Sequence, residues 1–192
     1  MSVIIALMNR ILIATITLVS CLALLASGCG GPQDQAKAYM QEGDAVIVKM
    51  AGQTPGFKKD LEDLFKGVFS GDGLEPAEFE QTATALRETA NSIKSQGEEA
   101  RASYAGIQKL SDVEDYKEYA ALMVQALDVN EKGLNDLESF LDEAAGQVKA
   151  ANFDAIVLAN GIETFSDKAA QISDDLQKLQ KQAADLKKEK GL

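Results

Sequence analysis

The residues of this chain that could do chemistry are carboxylates set side by side, two cysteines, and one polar residue inside an apolar stripe. Adjacent acids occur as Glu62-Asp63, Glu98-Glu99, Glu114-Asp115, Asp142-Glu143 and Asp174-Asp175. Neighbouring residues on a helix point about 100° apart, so such pairs diverge and do not form a general acid/base couple. They read as solvated, charged helix faces. Activated nucleophiles usually need a base beside them, and the chain has no His. That removes Ser-His-Asp and Cys-His couples, His-ligated haem, and His-containing zinc sites. It also removes the Glu-x-x-His motif through which helical bundles hold two irons. Cys21 and Cys29 are too few for a zinc site of four thiolates. Asp72 lies in a Ser-Gly-Asp-Gly run without EF-hand spacing. No catalytic, cofactor-binding or metal-ligating residue is assigned, and the expectation is a protein that is not an enzyme.

Charge narrows the partners. The chain carries 30 acids against 19 bases, a net charge of −11. Phosphate-backbone binding needs an excess of Lys and Arg, so nucleic acid is not expected as a partner. With 192 residues, 46% of them hydrophobic, the chain is long enough for one domain with a packed core.

Cys29 is the residue with the sharpest local context. Ile11 to Ser27 is an uncharged apolar run, preceded by Arg10 and followed by Gly28, Cys29, Gly30 and Gly31. A basic residue, an apolar run and a small-residue boundary describe a secretory signal peptide. The run is a little short of the ~20 residues a bilayer span needs. Met8-Asn9-Arg10 makes a more ordinary beginning for such a signal than Met1 does. Leu25-Ala26-Ser27-Gly28-Cys29 resembles the lipobox of bacterial lipoproteins, with Ala26 where Leu is commonest. The resemblance implies cleavage between Gly28 and Cys29, leaving Cys29 as a lipidated N-terminus anchored in membrane lipid. An uncleaved anchor and ordinary secretion are the alternatives. Cys21 would leave with the signal, and Cys29 would have no partner for an intramolecular disulfide. The layout is then a signal peptide at 1–28, a lipidated Cys and tether at 29–33, and a helical domain at 34–192. The expected location is the cell membrane or outer membrane, facing away from the cytoplasm. Gly30 stands where an Asp would imply inner-membrane retention in a diderm cell.

The elements that follow are helical. From Val113 the chain places Tyr116, Ala120, Met123, Leu127, Asn130, Leu134, Leu137, Leu141, Ala144 and Val148 at alternating steps of three and four. This is a heptad seam, with Asn130 its polar exception. Ser111 and Glu114 are spaced as a capping box that starts this helix. A second seam runs from Ala155 through Leu158, Ile162, Phe165, Ala169, Ile172, Leu176, Leu179 and Ala183 to Leu186. Asn152 is a candidate N-cap, and the short connection at 150–152 folds the two helices back on each other. An Ala-rich seam occupies Phe79, Ala83, Leu86, Ala90, Ile93, Gly97, Ala100, Tyr104 and Ile107, opened by Pro76 after a turn at Ser70–Gly73. The first segment keeps the spacing at Ala36, Tyr39, Gly43, Val46 and Met50, then meets Gly52-Gln53-Thr54-Pro55-Gly56 before Phe57, Leu61, Leu64 and Val68 resume it. This predicts either one helix broken near 52–56 or a hairpin there, and the resumed stripe favours the broken helix. The expected fold is all-α: an elongated, antiparallel, up-and-down four-helix bundle with coiled-coil-like heptad seams.

Two functional readings follow. The first is a membrane-anchored helical lipoprotein with a structural or protein-interaction role. Residues 111–150 carry ten acids against Lys117, Lys132 and Lys149. That face serves either solubility or docking of a basic protein partner. The alternative is a lipoprotein that binds a small ligand in a pocket between helices. Asn130 separates them: a polar residue in a filled seam sets register, whereas a cavity beside it favours a ligand.

Overall fold

The computed structural model describes residues 30–69, 75–150 and 155–192. Cys29 and Gly28, the turn at Ser70–Gly73 and the Asn152 cap lie outside those residues. Four helices follow in order: α1 (Pro32–Phe69), α2 (Pro76–Gln108), α3 (Glu114–Lys149) and α4 (Ala155–Lys190). The architecture is all-α, a four-helix bundle. Lys187 of α4 reaches Asp44 near the start of α1, so the last helix ends beside the beginning of the first, as four alternating passes require.

The seams do the packing. Every seam residue named for α2, from Phe79 to Ile107, is buried. In α3, Ala120, Met123, Leu127, Leu134, Leu137, Leu141 and Ala144 are buried as well. The core falls into two clusters. One gathers Met40, Val46, Tyr104, Tyr119 and Met123 at the end where α1 starts. The other gathers Phe65, Phe79, Leu86, Phe140 and Phe165 at the far end. Phe57 packs against both.

Two local expectations are corrected. The first helix is not broken near 52–56, because α1 runs through that stretch without interruption and carries Pro55 inside it. Pro55 lies on the exposed face. There the Ala51 carbonyl, which loses its donor to the proline, can be hydrated. Burial of Leu64 and Phe65 beyond it holds the second half of the helix to the bundle. A hairpin, and with it a five-pass bundle, is excluded. The capping box at Ser111 and Glu114 does not form either. Asp112 takes a left-handed backbone (φ 59°), Val113 occupies the cap position without a side-chain hydrogen bond, and Val113 is buried. The chain inserts an apolar side chain at this corner, so the helix starts at Glu114.

Backbones approach closely between α1 and α2, α2 and α3, and α3 and α4. The fourth seam differs: α1 approaches α3 across the diagonal more than it approaches α4. The backbones of the first and last helices are therefore spaced more widely than those of the other neighbouring pairs.

Candidate functional site

The seam between α1 and α4 is pinned at both ends. At the end where α1 starts, Asp44 receives one side chain from each of the other helices. Tyr104 Oη of α2 and Tyr119 Oη of α3 donate to its Oδ1 at 2.9 Å and 2.7 Å. Lys187 Nζ of α4 donates to its Oδ2 at 2.8 Å. The Lys187 ammonium also stands 5.5 Å from the Tyr119 ring centre, within cation–π range. Burial first, then the Asp44 charge, push both tyrosines well above their ordinary pKa, so the hydroxyls stay neutral donors. At the far end the rings of Phe65, Phe140 and Phe165 close the seam, with Phe140 and Phe165 stacked at 5.1 Å and Phe65 edge-on to both.

Between these two clasps lies a cleft of about 170 Å³. One wall is α1, through Thr54, Phe57, Leu61 and Phe65; the other is α4, through Phe165, Ala169, Ile172, Ser173 and Leu176. Its floor comes from Ile93 of α2 and from Asn130, Gly133, Leu134 and Leu137 of α3. The lining is mostly apolar. Lys58 and Glu62 stand at the rim and pair with each other at 3.5 Å.

Helix geometry explains why the polar atoms gather at one end. The pairs Asp44–Lys187 and Phe65–Phe165 set an antiparallel register that puts Ser173 opposite Phe57. The contacts of Gly133 with Ile172 and of Asp136 with Lys168 put Asn130 within about a turn of Ser173. Thr54, Asn130 and Ser173 thus share the end of the cleft nearer the Asp44 clasp. Ser173 is only 4% exposed, and its Oγ has no hydrogen-bond partner. Ser103, Ser139 and Thr164 each donate to the carbonyl four residues back, the usual refuge of a mid-helix hydroxyl. Ser173 does not. A buried hydroxyl left unpaired costs about 1–3 kcal/mol, so a hydrogen-bonding partner from outside the chain is favoured at this site.

Asn130, singled out from the sequence, is half-buried and lies in this cleft. The seam around it is not filled: Ile172 and Leu176, which the spacing placed in the core of α4, are only partly buried. The acidic face of α3 is largely used within the bundle. Arg101 bridges to Asp128 and Glu131, both at 2.7 Å. Burial works against the Arg101 charge, but the hydrogen bonds it donates to Glu131 and Asp128 outweigh this and raise its pKa. Lys94 holds Glu138 at 2.7 Å and Arg87 holds Asp142 at 2.8 Å.

Sequence reading missed Asp44, Lys187 and Ser173. The signal was present in each case. Asp44 follows Ala36 and Met40 at steps of four, Lys187 follows Ala183, and Ser173 follows Ala169. A polar residue on the flank of an apolar stripe must find a partner or a ligand.

Among the described residues no group of three or more His, Cys, Asp or Glu is placed to hold a metal ion. No described helix is long and apolar enough to cross a membrane. Comparison with protein-family models, with curated proteins and with solved structures finds no match to this chain.

Proposed function

We propose that this protein is a lipid-anchored, extracytoplasmic lipoprotein whose helical domain binds a small apolar ligand between α1 and α4. The observation that carries the ligand reading is the cleft beside Asn130, an apolar hollow of about 170 Å³. An engineered apolar cavity of ~150 Å³ stays dry and takes up benzene, so this hollow is large enough for a ligand of that size. The alternative role, docking of a basic protein on α3, has less support. The acids it would use at Asp128, Glu131, Glu138 and Asp142 already face basic side chains of α2.

The anchor rests on Cys29 and the lipobox-like residues before it. One acyl chain binds membranes marginally and two or more hold firmly. A diacylated Cys29 therefore suffices without a spanning helix.

Each half has its own test. Intact-mass measurement of the membrane-extracted protein should give a chain that begins at acylated Cys29; an unmodified chain beginning elsewhere removes the anchor. Toluene should raise the melting temperature of the parent protein and leave Ala169→Leu, which fills the cleft, unchanged. Equal behaviour of the two proteins removes the ligand site.

A further inference from the structure

We infer that the cleft selects an uncharged amphiphile, with a hydrogen-bonding group seated at Ser173 and a hydrocarbon part of about six to eight carbons directed toward Phe65 and Phe165. The inference rests on the ligand-binding reading above and adds the chemistry of the ligand and its direction.

Three observations carry it. The first is the unpaired hydroxyl. Ser173 is 4% exposed and its Oγ meets no protein acceptor or donor, although other mid-helix hydroxyls of this chain bond back to the carbonyl four residues earlier. A hydroxyl both donates and accepts, so it can serve an alcohol, an amide or an ester equally well. The second observation is neutrality. The polar groups at this end, Thr54, Asn130 and Ser173, carry no charge. The charges at the rim are engaged with each other: Lys58 pairs with Glu62 at 3.5 Å, and Glu62 also meets Lys66 at 3.7 Å. The nearest charges, Lys58 and Glu62, are already paired, so an ionic head would have to break that pair or enter the apolar hollow unpaired, and burying an unpaired charge is strongly unfavourable.

The third observation is size and direction. The volume of about 170 Å³ is comparable with a cavity that holds a six-carbon ring. From Ser173 to Phe165 the wall of α4 spans about 12 Å at ~1.5 Å per residue. That length suits a short chain lying along the helices better than a compact polycyclic body. Along this path the lining changes from hydroxyl and amide to Leu61, Leu137 and aromatic rings. The ligand's polar end is thereby directed to the side nearer the Asp44 clasp, and its tail to the far end.

The test uses the full chain in lipid nanodiscs, with methyl groups of Ile93 and Ile172 labelled for NMR. The probes are 1-hexanol, n-hexane, hexanoate and hexylammonium. Saturable shifts at Ile172 with 1-hexanol are expected, with hexanoate and hexylammonium at least tenfold weaker. Ser173→Ala should weaken 1-hexanol about tenfold and leave n-hexane unchanged. It should also melt no lower than the parent, because it deletes an unpaired hydroxyl. If hexanoate or hexylammonium matches 1-hexanol, or if Ser173→Ala leaves 1-hexanol unaffected, the uncharged-head inference is overturned while the cleft keeps its role as a ligand site. No saturable shift with any of the four probes overturns both.

Discussion

Asp44 is a carboxylate on the inner side of its helix, with a side chain only 13% exposed. Such a group is costly unless it is paired and hydrogen-bonded. Here it is both, through Tyr104, Tyr119 and Lys187. Removing it leaves two buried hydroxyls and a partly buried ammonium without their acceptor. Asp44→Ala should therefore lose about 2–4 kcal/mol in denaturant unfolding, far more than a surface ion pair is worth. The tyrosines also make stability pH-dependent. Their pKa is raised in the folded state by burial first and by Asp44 next. The folded protein thus keeps protons that the unfolded chain gives up. This contribution is fully present below the unfolded tyrosine value of about 10 and is lost as pH climbs above it toward the folded values. Each buried tyrosine contributes a slope of roughly 1.4 kcal/mol per pH unit. Stability should fall by about 2–3 kcal/mol per unit above that point, and tyrosinate absorbance from these two residues should appear only as the fold is lost. Tyr104→Phe should roughly halve the slope; an unchanged slope would mean that other groups cause the alkaline loss.

The heptad pattern carried the helices and their buried faces, and in α2 every seam residue it marked is buried, with Ser103 added beside them. It did so because a side chain's position around one helix is a local property of the sequence. Three things were not local. The helix through Pro55 survives because tertiary burial on either side outweighs one lost hydrogen bond. The start of α3 is set by where Val113 must be buried, not by the Ser111 spacing. The separation of α1 from α4 depends on distance between two helices far apart in the chain, which no stripe encodes. Close approaches between helices were legible only in part. Gly43 and Gly106 are sites where tyrosine rings press on the opposing helix: a β-carbon at Gly43 would come within 2.6 Å of the Tyr104 ring, and one at Gly106 within 2.8 Å of the Tyr39 ring. Tyr104 cannot swing aside without leaving Asp44. Gly43→Ala should therefore destabilise by about 1–3 kcal/mol through overpacking, despite a helix-propensity gain of up to ~1 kcal/mol. Gly52 has nothing within 4 Å of the same construction, so Gly52→Ala should show the propensity gain alone. Thermal melts of the two variants should move in opposite directions; a stabilised Gly43→Ala would show that α1 and α2 are less tightly apposed than the ring contacts require.

At the scale of the molecule, the proposed anchor would lie far from the cleft. α1 has 38 residues, about 57 Å of helix at ~1.5 Å per residue. With Cys29 acylated, only Gly30 and Gly31 separate the lipid from Pro32, a reach of roughly 10 Å even when extended. The start of α1 must then sit at the bilayer surface. The Asp44–Lys187 bridge brings the end of α4 to the same side, and Leu192 packs against the core cluster there. Two of the lysines at this end are engaged within the bundle: Lys187 is held by Asp44 and Lys190 by Asp115. A net charge of −11 opposes laying the bundle flat on an anionic leaflet. An upright arrangement would hold the cleft, which begins at Thr54, some 30 Å from the surface at ~1.5 Å per residue. A ligand would reach it from the aqueous phase and not by sliding out of the bilayer. Single fluorophores at Leu192 and at Glu75, in the acylated protein on vesicles with lipid-borne quenchers, read this arrangement. Leu192 should be quenched strongly and Glu75, at the opposite end of the bundle, hardly at all. Equal quenching at both positions would mean that the bundle lies along the membrane, with its cleft close enough to draw on the lipid itself.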